Sequence, residues 1–174
     1  MHGLWPQPKN NAYCNVSNKN QAIDKRSHWH LLPSLNLSDQ TFEDLLVVMP
    51  GVVSDLHRHE WIKHGTCYSD SPEIYYKHSL VLMDQINESP VRDLMAQNIG
   101  KSLTADEIRA QFDKSFGEGA GGKVNVKCHK GMINELWINL QGEITENTPL
   151  SQLLKEAEPV KASCQSGLVD PAGF

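Results

Sequence analysis

The stretch at 123–141, KVNVKCHKGMINELWINLQ, decides the fold class, because its apolar residues alternate on both sides of a Lys130-Gly131 turn. Val124, Val126 and Cys128 share one face of the first half, and Leu136, Ile138 and Leu140 share one face of the second. A period of two marks a half-buried strand, so 123–129 and 134–141 are predicted to be antiparallel strands. Upstream the pattern changes. Glycines at 117, 119, 121 and 122 mark a loop, and Thr104 opens a predicted helix that runs to Phe116. A short helix is predicted over 90–98. Ser71-Pro72-Glu73 begins another that reaches Asn87, with proline at its first helical position. Ser54 is read as the cap of a helix to His64, ended by Gly65. Ser38 is read as the cap of one carrying Phe42, Leu45 and Leu46 to Pro50-Gly51. Residues 2–37, rich in Pro, Asn, Gln and Ser, read as ordered but mostly irregular. Helices precede strands, so the chain is read as one α+β domain over 1–174, with a central antiparallel β-sheet flanked by several helices.

The 174 residues suffice for an apolar core, and 39% hydrophobic with 21% charged residues is ordinary for a globular protein. A net charge of −5 argues against a surface that coats nucleic acid, but not against a pocket that grips one or two nucleotides. No stretch approaches the roughly 20 apolar residues of a membrane span, and Met1–Pro6 has neither the basic start nor the apolar run of a signal peptide. Four cysteines, spread singly and without C-x-x-C spacing, favour two disulfides formed in an oxidising compartment. Three pairings are possible.

The chemistry concentrates in HEWIKHGTC at 59–67. On a helix turning about 100° per residue, His59 at zero puts Lys63 near 40°, Glu60 near 100° and His64 near 140°. These four side chains share one arc, while Trp61 and Ile62 point to the opposite side and can pack on the core. A solvated polar face would look similar. Zinc binding is disfavoured, because H-E-x-x-x-H separates the two histidines where H-E-x-x-H would stack them, and Lys63 adds positive charge beside a cation. Cleavage of a ribonucleotide phosphodiester needs a base for the 2′-hydroxyl, an acid for the 5′-oxygen, and positive charge around phosphorus. Attack and departure occur on opposite sides of phosphorus, so a second segment must supply a further histidine.

His2, in HGLWPQ at 2–7, is the candidate. Trp5 and Tyr13 offer rings on which a base can stack, and Gln7 can hydrogen-bond a base edge. Alone, the segment could be a turn around a packed tryptophan.

HGLWP followed at a distance by HEWIKHGTC resembles the paired active-site segments of the ribonuclease T2 family. The resemblance implies a metal-independent and cofactor-free endoribonuclease, with His64 as general base and His2 as general acid. It implies His59 on the phosphate, Glu60 and Lys63 supporting the transition state, and Trp5 and Tyr13 sandwiching a base. Gln7 stands where many members carry an acidic residue, and Leu56 where an aromatic is common. It further implies Cys14–Cys67 and Cys128–Cys164 bridges, single-stranded RNA but not DNA as substrate, a monomer, no membrane partner, and a periplasmic or secreted parent. The closing stretch at 164–174 is similar to bacterial periplasmic members. The chain is expected to lack the strand region that family members carry before the first motif. Two functional classes are therefore open. One is an active endoribonuclease that yields 3′-phosphate ends through a 2′,3′-cyclic phosphate. The other is a weakly active or inert fragment that binds nucleotides or protein, because His2 on a fraying terminus would seldom be in line. His28, His30, His57, His78 and His129 are read as surface or structural.

Overall fold

A computed structural model describes residues 1–170, so the last four residues of the closing stretch lie outside the described residues. The fold is α+β, with seven α-helices and four strands among the described residues. The chain divides into two compact units, Met1–Met83 and Asp84–Phe174.

The first unit is helical. α1 (Asn18–Asp24) is capped by the Ser17 hydroxyl. The rest of 2–37 is mostly irregular, as expected; α1 was not foreseen because its seven residues bury only the last, Asp24, and so show no apolar periodicity. α2 (Asp39–Val48) begins, as expected, at Ser38, whose side chain accepts from the Thr41 amide. A 3₁₀ turn over Pro50–Ser54 follows. α3 (Leu56–Lys63) is then entered through Asp55 in the left-handed region (φ 60°), so Ser54 ends a turn and caps nothing. α4 (Pro72–Asn87) starts where the Ser-Pro-Glu signal places it. Leu45, Met49, Val52, Tyr75, Tyr76 and Leu80 form the buried cluster of this unit, with Met1, Leu4 and Trp61 packed against it.

In the second unit, α5 (Pro90–Gln97) is capped by Ser89, and α6 (Ala105–Phe116) opens with a capping box between Thr104 and Glu107. Val124, Val126 and Ile133 of the hairpin are buried, as are Ile108 and Phe112 of α6. The hairpin is β2 (Val124–His129) and β3 (Met132–Ile138), antiparallel with a register shift at Lys127/Cys128. β3 begins two residues earlier than the alternation suggested, because the pairing closes directly onto Lys130-Gly131. β1 (Ser102–Thr104) and β4 (Ser166–Val169) complete a sheet ordered β1-β4-β3-β2. The β3–β4 pair is parallel, so the sheet is mixed where an antiparallel one was expected. Strands of three and four residues are too short to display a period of two. α7 (Leu150–Glu156) buries Leu150, Leu153 and Leu154. No helix among the described residues is long and apolar enough to cross a membrane.

Candidate active site

Every predicted catalytic and base-binding residue lies in the first unit, and α3 organises them. Its inward face is not the solvated one: Glu60 is 1% exposed and Ile62 is 7% exposed. Trp61 packs toward the core, with its ring 5.9 Å from that of Tyr75, as the helical projection requires. A buried carboxylate is costly unless its oxygens are satisfied. Glu60 has two partners, both from the first motif. Its Oε1 lies 2.9 Å from His2 Nδ1, and its Oε2 accepts from the Trp5 indole N–H at 2.7 Å. The Trp5 ring lies flat on the imidazole of His64, with centroids 4.9 Å apart and planes 25° from parallel. Glu60 thus touches the site through His2 and Trp5.

His64 sits just past the end of α3 as its C-cap and is buried. Burial lowers its pKa to about 4; the Glu60 carboxylate pulls upward, and Lys63 and His59 push down. The stacked indole covers the face of the imidazole, whereas the nitrogen lone pair lies in the ring plane. His64 is therefore a neutral ring in a dry setting, with its basic edge uncovered by the stack. His2, by contrast, has a side chain that is 51% exposed. Its Nδ1 is held by Glu60.

The first motif is tied down on both sides of His2. The Met1 amine donates to the Val48 carbonyl at 2.6 Å, and the buried Tyr75 hydroxyl donates to the Leu4 carbonyl at 3.1 Å. Gly3 has φ +147°, and a Cβ there would collide with the Tyr75 hydroxyl. Gly65 is needed for a similar reason, since a Cβ would run into the Trp61 ring. The glycines in both motifs thus allow close packing on the aromatic core.

A second network forms around His59. His59 Nδ1 is 2.8 Å from Oδ1 of Asp24, and the Tyr13 hydroxyl donates to Oδ2 at 2.8 Å. Trp29 stacks on the His59 ring at 4.8 Å and 25°. Burial, together with its bond to Asp24, holds the Tyr13 phenol far above its usual range. Tyr13 is in the left-handed region at φ 59°, a conformation that costs a bulky residue about 1–3 kcal/mol. It is held there by its amide bond to the Lys63 carbonyl at 2.9 Å and by the adjacent Cys14–Cys67 disulfide. That bridge and Cys128–Cys164 are the pairings implied by the resemblance.

The structure therefore gathers His2, Trp5, Glu60 and His64 in one network and His59 and Tyr13 in another, with Lys63 at the end of the same helix. Gln7 stays exposed on its own loop, donating to the Trp5 carbonyl at 3.1 Å. Asp24 and Trp29 were missed. Neither belongs to a motif, and no spacing signal connects them to residue 59. Among the other histidines, His57 is buried, with its carbonyl accepting from Tyr76 and its ring against Phe42. His78 meets the Tyr68 hydroxyl at 2.6 Å, while His28, His30 and His129 are exposed.

Comparison with known proteins decides the family. The profile described as "Ribonuclease T2 family" matches residues 1–155. The chain belongs to the ribonuclease T2 family. Similar proteins include "Ribonuclease I" of Escherichia coli (strain K12), 29% identical over 100% of this chain and 72% of that protein. "Ribonuclease T2-like" of Aspergillus fumigatus is 28% identical over 94% of this chain and 43% of its own length. "Extracellular ribonuclease LE" of Solanum lycopersicum is 31% identical over 50% of this chain and 37% of that protein.

Proposed function

We propose that this T2-family chain is an endoribonuclease that cleaves single-stranded RNA by transesterification. The observation that carries the reading is the chain of contacts from His2 through Glu60 and Trp5 to His64, which couples histidines from two distant motifs. His64, neutral above a pKa of about 4, takes the proton of the 2′-hydroxyl. The 2′-oxygen attacks phosphorus, and the P–O5′ bond breaks. The departing 5′-oxygen takes a proton from His2. The product is a 2′,3′-cyclic phosphate, which water opens to a 3′-phosphate with the two roles reversed. His59 and Lys63 face the phosphate and offset its developing charge, and Trp5 and Tyr13 hold a base. Proton transfer and charge stabilisation are supplied by side chains alone, so no metal is needed.

The 2′-hydroxyl is the nucleophile, so DNA is not a substrate. Two disulfides fit a periplasmic or secreted enzyme, and we expect it to act as a monomer. The test is a DNA oligonucleotide carrying one ribonucleotide, incubated with EDTA. Cleavage only on the 3′ side of that ribose is expected. Cleavage elsewhere, or its loss on chelation, would overturn the reading.

A further inference from the structure

His2 is not the only histidine of this site backed by a buried carboxylate. Asp24, 3% exposed, sits at the end of α1 with Oδ1 2.8 Å from His59 Nδ1 and Oδ2 accepting from the Tyr13 hydroxyl at 2.8 Å. We infer that Asp24 is a positioning residue that fixes the tautomer and orientation of His59 and ties it to the ring of Tyr13.

A carboxylate only accepts hydrogen bonds. Facing Asp24, Nδ1 of His59 must therefore carry the hydrogen; in the neutral ring Nε2 is bare, and in the protonated ring Nε2–H, on the edge opposite Asp24, is the donor offered to the phosphate. The Trp29 indole, stacked at 4.8 Å, holds the plane of the imidazole, so the ring is fixed in both tilt and tautomer. Tyr13 is held by the other oxygen of the same carboxylate, so the stacking ring and the histidine share one anchor. Asp24 also serves α1, since its position at the helix end is set by the Ser17 cap seven residues earlier. The assignment of a role in turnover rests on the ribonuclease reading above. The assignment of the tautomer does not.

The experiment separates the two. In the wild-type chain, ¹⁵N-edited spectra of the neutral His59 ring should show a protonated Nδ1 and a bare Nε2. A bare Nδ1 would overturn the proposal whatever the activity. In Asp24→Asn the amide offers one acceptor to two donors, Tyr13 and His59. The His59 tautomer should become mixed, and kcat should fall about ten- to hundredfold with KM changed by less than about threefold. Tyr13→Phe, which leaves the Asp24–His59 contact in place, should keep the wild-type tautomer and act mainly on KM. If Asp24→Asn keeps the wild-type His59 spectrum and turns over at the wild-type rate, Asp24 is only structural. If wild type shows the expected tautomer but no turnover on RNA, the ribonuclease reading fails while the positioning of His59 stands.

Discussion

His2 Nδ1 lies 2.9 Å from Oε1 of Glu60, a pairing of a half-exposed imidazole with a carboxylate that is 1% exposed. Here the buried carboxylate orients the ring, and the bonds at Met1 and Leu4 hold its backbone. Glu60→Gln keeps the shape of the side chain but offers one acceptor where two donors need one each. We expect it to cost about 2 kcal/mol of stability and to lower kcat about ten- to hundredfold. Urea unfolding and steady-state kinetics on one preparation check both. Unchanged kcat in a folded variant would show that His2 does not depend on Glu60.

Trp5 has two attachments that can be separated. Trp5→Phe retains a ring over His64 but removes the N–H that satisfies Oε2 of Glu60. A buried carboxylate oxygen left without its donor costs about 1–3 kcal/mol, so the variant should unfold earlier in urea while keeping measurable nucleotide binding. Trp5→Ala also uncovers His64. Its pKa should then rise toward the ordinary value because desolvation is the main cause of its depression. An NMR titration in which His64 stays at the wild-type value in Trp5→Ala contradicts this account.

Burial of His64 also sets a pH dependence. With its pKa lowered to about 4, the base is ready above that pH, and the acid limb of the kcat/KM profile should lie there. The general acid must carry a proton, so the profile should fall again on the alkaline side. For stability, the unfolded ring binds a proton near its ordinary 6.5, whereas the folded ring does so only near 4. The unfolded state therefore holds more protons between these values, so stability is lost as pH falls from about 6.5 to about 4. His57, also lowered by burial, acts in the same direction. Urea midpoints measured across this window should drop with acid, and His64→Gln should flatten the slope. A wild-type midpoint independent of pH over this range is the contrary result.

The Cys14–Cys67 bridge spans 53 residues and fastens the strained Tyr13 to the end of α3. Chain-entropy reasoning gives about 4 kcal/mol for a loop of that size. Replacing both cysteines with serine should lower stability by about that amount and weaken nucleotide binding through Tyr13. Calorimetry and a fluorescence titration on the double variant test this. Unchanged binding would separate Tyr13 from the bridge.

Several helices were legible in the sequence because their caps are local. Ser38, Ser71-Pro72 and Thr104 each signal a start within four residues. The helical projection of 59–64 placed Trp61 and Ile62 inward, and they are. It could not show that Glu60 is buried, because that depends on two donors from residues more than fifty positions away. Asp24 was illegible for the same reason: its partners, Tyr13 and His59, are joined only by the tertiary fold. The parallel β3–β4 pair was hidden by the brevity of β4.

The most direct test follows the ³¹P spectrum of a ribodinucleotide with the purified chain in EDTA, comparing wild type with His64→Ala and His2→Ala. The account predicts that wild type first builds up a 2′,3′-cyclic phosphate and then a 3′-phosphate. Each variant should be slowed by at least about a hundredfold. A wild type that forms no cyclic phosphate, or a His64→Ala variant that cleaves at the wild-type rate, would contradict it.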